Sequence, residues 1–237
     1  MKETKYENIA RFPVALDGII FGFDRESLKL LLIKRDFEPE KGKWSLMGGF
    51  LRNEESLDKA ASRIVSQLTG LKNVYLEQLY GFGEVDRDPV ERTISIAYYS
   101  LINIHDHDRE LVKKYSACWF PVNALPDLIF DHNKMVKAAK RRLRYKAARQ
   151  PVGFELLPEK FTLPELQQLY EAIYETELDK RNFRRRILAM DVLVNTGEKQ
   201  KAYSKKGAYL YKFDKDKYQK QLSPSNGTNL MFKPPKE

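Results

Sequence analysis

The stretch GGFLRNEESLDKAASRIVSQLTGL, residues 48–71, joins a β-prone run to an amphipathic helix through a glycine pair. Leu57, Ala60, Ala61, Ile64 and Leu68 recur at helical spacing and Gly70 closes the pattern, so one apolar stripe must lie against a neighbouring layer. That layer is supplied by three strand-like runs: FPVALDGIIFGF (12–23), SLKLLLIKR (27–35) and TISIAYYSLINI (93–104), with DRES between the first two reading as a hairpin turn. Strands interleaved with helices predict an α/β domain, extending to a basic helix over about 133–149.

The prolines and glycine of RQPVGFELLP suggest a boundary near 150–160, dividing the chain into 1–150 and 155–237. Beyond it, Thr162 and Glu165 form a capping-box signature, with Leu163, Leu166, Leu169, Tyr170 and Ile173 on one helical face. After a short turn Asp179 can cap a second helix, in which Phe183, Ile187, Met190 and Val194 are spaced to face a core. Turn signals at Thr196-Gly197 and Lys206-Gly207 then frame a hairpin. Helix, turn, helix and hairpin is the order of a winged helix-turn-helix.

Charge separates the two parts. Residues 1–132 carry 18 Lys/Arg against 21 Asp/Glu, whereas 133–237 carry 24 against 12, so the back half is built to meet a polyanion, duplex DNA first. Lys180 with Arg184, and Arg181 with Arg185, stand one turn apart away from the Phe183/Ile187 face, and no acid occurs from 180 to 190. Arg181, Asn182, Arg184 and Arg185 suit base or phosphate contacts, and Lys199, Lys201, Lys205 and Lys206 of the hairpin suit phosphates.

The single cysteine, Cys118, can form no internal disulfide and reads as a small core residue. The His105/His107 pair has no evident third ligand, so no metal and no cofactor is expected. No apolar run is long enough to span a bilayer and no signal-peptide core is present, so a cytoplasmic location and no membrane contact are expected.

With these residues in view, the stretch from Gly49 to Leu71 resembles the Nudix box, the helix on which Nudix hydrolases hold a catalytic metal. Gly49, Glu55, Arg63, Val65, Gly70 and Leu71 match, while Ile64, Gln67 and Leu68 stand where the family places glutamates. An aliphatic side chain cannot ligate a hard cation, so metal-dependent hydrolysis is not expected. WSLMGGF (44–50), DRDP (86–89), RTISIAYYSL (92–101) and LDKRNFRRRIL (178–188) extend the likeness: from about 10 to 215 the chain is similar to the Nudix-related transcriptional regulators, a Nudix-like sensor joined to a winged helix. The resemblance implies a homodimer on palindromic operator DNA, with affinity set by a small effector. Known effectors of the family include ADP-ribose-like compounds and sugars.

Without the box carboxylates there is no evident metal bridge to a pyrophosphate, which favours a sugar over ADP-ribose; the resemblance implies L-arabinose as the sugar to name. Both readings stay open, as does an active hydrolase of nucleoside diphosphate derivatives that uses residues outside the box. Asp17, in an apolar strand on the face of Ala15, Ile19 and Phe21, is the suggestive effector residue, since a buried carboxylate needs a partner. Arg35 ends the next strand, and the Nudix-like fold would bring Lys43, Trp44 and Glu84 near the pocket, with Lys43 and Trp44 on opposite faces of a strand. The basic helix 133–149 is the natural element to couple pocket and winged helix.

Overall fold

The computed structural model describes residues 9–104, 115–201 and 207–221. Its centre is a mixed sheet of β1 (Val14–Phe23), β2 (Leu28–Lys34), β3 (Trp44–Ser45), β4 (Met47–Phe50), β5 (Glu77–Phe82), β6 (Ile94–Asn103) and β7 (Ala117–Pro121). The main path runs β3-β2-β1-β6-β5, with β4 paired to β1 and β7 to β2. β1 lies antiparallel to β2 and β4 and parallel to β6, which sets Asp17 opposite Gly48 on one side and Ala97 on the other.

Both faces of this sheet are covered, which is why β1 and β2 read as nearly unbroken apolar runs. Leu16 and Ile20 of β1, with Leu31 and Ile33 of β2, pack on Ala60, Ala61, Ile64 and Val65 of α1 (Leu57–Thr69). Ile19, Phe21 and Phe23 point the other way, onto Met135, Ala139 and Leu143 of α2 (His132–Ala147). The α1 stripe is as its sequence requires: Ser56 caps the start by accepting from Lys59 N, and Gly70 closes the end in a left-handed conformation.

The winged helix follows: β8 (Phe161–Thr162), α3 (Leu163–Tyr174), α4 (Lys180–Ala189), β9 (Leu193–Gln200), β10 (Ala208–Phe213) and a short α5 (Lys215–Gln221). The strands form a sheet in the order β8-β10-β9. Thr162 and Glu165 make the expected capping box, and Asp179 Oδ1 accepts from Asn182 N. Leu166, Leu169, Tyr170, Phe183 and Ile187 join the apolar cluster that begins at Ile19 and Phe21, so the winged helix packs on the sheet face shared with α2.

Three local expectations are corrected. Thr196-Gly197 is no turn: β9 runs through it, with a register irregularity opposite Tyr209–Tyr211 absorbing Gly197 at φ 75°. Val194 therefore belongs to β9 and is exposed, because α4 already ends at Ala189. Cys118 is exposed as well, since strand alternation on β7 gives the inward position to Ala117. His105, His107, Lys205 and Lys206 lie outside the described residues.

Candidate effector pocket and nucleic-acid interface

A cavity of about 120 Å³ opens between β1, β2, the β3–β4 segment, the end of α1, the loop after β5 and the start of α2. Its floor is a buried polar cluster. Ser95 Oγ donates to Asp17 Oδ2 at 2.5 Å, and Arg87 Nη2 stands 3.8 Å from the same oxygen. Arg87 is itself gripped by Asp131 through two bonds, Nε to Oδ2 at 3.1 Å and Nη2 to Oδ1 at 2.8 Å. Asp131 occupies the N-cap position of α2 yet caps nothing with its side chain, its oxygens being engaged by the guanidinium.

His132 completes the floor. Its Nδ1 accepts from Leu46 N at 3.2 Å, which leaves the proton on Nε2, 3.5 Å from Asp17 Oδ1. Burial pushes the imidazole pKa below its ordinary value against the opposing pull of Asp17 and Asp131, so the ring is neutral at pH 7. The glycine pair now has a purpose: a Cβ on Gly48 would fall 2.6 Å from Asp17 Oδ1, and one on Gly49 would fall 3.0 Å from Ile64.

Arg35 forms the rim. Its Nε donates to the carbonyls of Pro39 at 2.6 Å and Phe37 at 3.1 Å, and its guanidinium lies 3.7 Å over the Phe37 ring and 5.5 Å from Phe130. Phe37, Phe130 and Asp88 also line the cavity. The wall where a Nudix hydrolase would carry metal ligands is different in kind. Leu68 faces the cavity and Ile64 is buried beneath Gly49. Glu55 is held by Arg63, with Nε to Oε2 at 2.8 Å and Nη2 to Oε1 at 2.5 Å, and Arg63 also reaches Gln67 Oε1 at 3.3 Å. That hydrogen-bonded pairing pushes the Glu55 carboxyl down to about 2. The surviving polar box residues thus clip α1 to its preceding loop, and among the described residues no group of His, Cys, Asp or Glu side chains is placed to hold a metal ion.

Asp17 and Arg35, named from sequence, line this cavity; Lys43, Trp44 and Glu84 do not. The wall is met by Ser45 and Leu46, one register step further along. Trp44 instead packs edge-on against Phe120 at 4.7 Å under the Lys34 ammonium, Lys43 is exposed and pairs with Glu40, and Glu84 is exposed. Sequence reasoning missed Arg87, Asp131 and His132. In the sequence DRDP stands out only as part of the family likeness, and nothing local announces that its arginine is buried against a residue 44 positions away.

On the winged helix, Lys180, Arg181, Arg184 and Arg185 are exposed on α4, opposite buried Phe183 and Ile187. Asn182 is half-buried, and its Oδ1 accepts from Arg185 Nη2 at 2.9 Å. Lys199 and Lys201 are exposed, and the Lys199 ammonium lies 4.6 Å from the Tyr209 ring.

Comparison with known proteins matches both parts. Residues 11–143 match the NUDIX domain model and 153–213 the NrtR DNA-binding winged helix domain model. The chain is 35% identical over 204 residues to the ADPR responsive transcriptional repressor NtrR of Acinetobacter baylyi, covering 84% of this chain and 81% of that one. It is 35% identical over 138 residues to the ADP-ribose pyrophosphatase of Methanocaldococcus jannaschii, covering 56% and 76%. The crystal structure of Shewanella oneidensis NrtR complexed with a 27mer DNA superposes with a TM-score of 0.77 at 30% identity, over 87% of this chain and 95% of that one. Both sequence relatives carry ADP-ribose in their names and neither carries a sugar, so on the effector they favour the ADP-ribose alternative over the sugar expectation.

Proposed function

Since the chain belongs to the Nudix-domain family that carries an NrtR-type winged helix, we propose that it is a transcription regulator whose affinity for operator DNA is set by a small metabolite in the pocket around Asp17. The observation that carries the DNA reading is the row of exposed cations on α4, the second helix of the winged helix, where the recognition helix of this fold enters the major groove. Arg181, Arg184 and Arg185 are assigned to base edges and phosphates, Lys180 with Lys199, Lys201, Lys205 and Lys206 to phosphates, and Asn182 to holding Arg185. The working division is a sensor over 1–150 and a DNA-binding part over 155–237, acting as a homodimer on a palindromic site.

For the effector, the names of the relatives favour ADP-ribose, and the pocket's own chemistry supports a second reading, a small neutral polyol such as L-arabinose. The cavity of about 120 Å³ is well below the roughly 300–1,000 Å³ of sites for drug-sized ligands. Its lining sets three carboxylates, Asp17, Asp36 and Asp88, against two guanidiniums, Arg35 and Arg87. A pyrophosphate would meet excess negative charge there, and an apolar Leu68 where a metal bridge would be needed. Hydroxyl groups suit the same floor, since Asp17 accepts, neutral His132 donates and the Phe37 and Phe130 rings offer apolar faces. In either case hydrolysis is not part of the proposal, because Ile64, Gln67 and Leu68 supply no metal-binding carboxylate.

Thermal unfolding separates the readings. A ligand that saturates the native state about a hundred-fold above its Kd adds about 2.7 kcal/mol of stability. The first reading expects a rise of about 5 °C or more with ADP-ribose that is the same in magnesium and in EDTA. A rise with L-arabinose alone selects the second reading. Magnesium-dependent turnover of ADP-ribose overturns the non-enzymatic assignment.

A further inference from the structure

The two elements that carry the pocket's buried charges also hold the two ends of α3, the first helix of the winged helix. α2 begins at the cavity with Asp131 and His132 and, about 18 Å further along its axis, places Lys140 and Arg144 on the C-cap residue of α3. Both cations bond Glu175, and Arg144 Nε donates to Ile173 O at 3.0 Å. β1 carries Asp17 and, about 20 Å further on at its end, delivers the turn residue Arg25 to the other end of α3, where Arg25 Nε stands 3.7 Å from Glu165 Oε1.

These two contacts differ. The Glu175 clamp is complete, whereas the Arg25–Glu165 contact is not. Glu165 Oε2 is spent on the capping box, accepting from Thr162 N at 2.8 Å and Thr162 Oγ1 at 3.0 Å. Its buried Oε1 and the buried Nε of Arg25 have no hydrogen-bond partner. The buried Glu165 oxygen and the Nε of Arg25, whose side chain is otherwise 39% exposed, lie 3.7 Å apart, and a side-chain movement of under about 1 Å gives a second arrangement in which they meet at an ordinary hydrogen-bond length of about 2.9 Å. Coupling between distant sites needs an element with two such arrangements whose balance each site can bias.

We infer that effector occupancy is transmitted to the DNA-binding surface through β1 and α2, with Arg25 and Arg144 acting on opposite ends of α3. The inference rests on the proposed function and specifies its regulation. A ligand that competes for Asp17 or His132 shifts the first turn of α2 against β1. α3 then tilts between its two grips and carries α4 with it through the Tyr170–Phe183 ring contact at 5.6 Å.

The two grips can be removed without disturbing the backbone. Arg25 sits at φ 76° and Glu175 at φ 54°, left-handed conformations that glycine adopts more readily than either residue. The test is amide hydrogen exchange of the full chain, free of ligand and DNA, in a double-variant cycle that combines Asp17→Asn at the pocket with Arg25→Gly/Arg144→Ala/Glu175→Gly at the grips, the Arg144 change removing the bond to Ile173 O as well. Asp17→Asn is expected to change exchange across α3 by at least about five-fold in the otherwise unaltered chain, and to leave it unchanged in the gripless background. The inference is overturned if Asp17→Asn leaves α3 unaffected, or if its effect survives removal of both grips. Should Asp17→Asn fail to fold, Ser95→Ala, which removes one bond to the carboxylate and keeps the charge, takes its place with the same two outcomes. Because no ligand is used, the cycle decides this inference even where both named effectors fail to bind.

Discussion

The molecule treats its charges in two opposite ways. Around the pocket, Asp17, Arg87, Asp131 and His132 are buried and bound to one another. Along α4, Lys180, Arg181, Arg184 and Arg185 are exposed with no acid in their helix. A buried ion cluster is expensive unless fully hydrogen-bonded, and it preserves a fixed arrangement of donors and acceptors for a small guest. An exposed row of like charges is weakly destabilising at home and gains only when a polyanion arrives. The pocket is therefore built for shape and hydrogen bonding, the stripe for field and counterion release.

The largest expected effect breaks the pocket side of this contrast. Asp131→Ala leaves Arg87 buried without its bidentate partner, with Asp17 still 3.8 Å away. A loss of about 3–5 kcal/mol in urea unfolding is expected, whereas Arg184→Ala on the stripe should leave stability within about 0.5 kcal/mol. Next comes the stripe itself. Arg181→Ala/Arg185→Ala is expected to weaken binding of a duplex, selected from a random-sequence pool, by about a hundred-fold or more in an anisotropy titration. Unfolding should be unaltered, and unchanged duplex affinity would remove these residues from the interface.

A smaller effect sharpens the role of the glycine pair. Gly48→Ala sets a methyl group 2.6 Å from Asp17 Oδ1, so the carboxylate must move. Effector binding measured by calorimetry should weaken by about ten-fold. The smallest concerns the clip left from the Nudix box. The folded-state pKa of Glu55 is depressed to about 2 from 4.5, so its stabilising bond to Arg63 is fully present above about 4.5 and is lost as pH falls toward 2. Glu55→Gln should flatten the stability profile over that window and leave it unchanged in shape above it, as read by urea unfolding at a series of pH values.

What could be read from the sequence follows the range of the interactions involved. The α1 stripe ending at Gly70, the Thr162–Glu165 capping box and the Asp179 cap are written in residues a few positions apart, and all three stand as the sequence implies. Asp17 announced itself because a carboxylate among Ala15, Ile19 and Phe21 breaks an otherwise apolar face. Its partners did not: Ser95, Arg87 and His132 come from three other segments, and only the β1–β6 register and the start of α2 bring them together. The family resemblance places Trp44 near the pocket, but the β2–β3 pairing turns it toward Phe120 and hands the cavity wall to Ser45 and Leu46. Thr196-Gly197 carried the right residues for a turn, and a long hairpin absorbed them as a bulge.

The central claim is that a pocket stripped of its Nudix carboxylates governs the stripe on α4. It is tested most directly by titrating the selected duplex with the full chain in EDTA, alone and with saturating L-arabinose or ADP-ribose. The account predicts a change in duplex affinity of about five-fold or more with one of the two, which Gly48→Ala moves to about ten-fold higher effector concentration. Equal affinity under all conditions, or an effect that appears only with magnesium and disappears as ADP-ribose is hydrolysed, would contradict it.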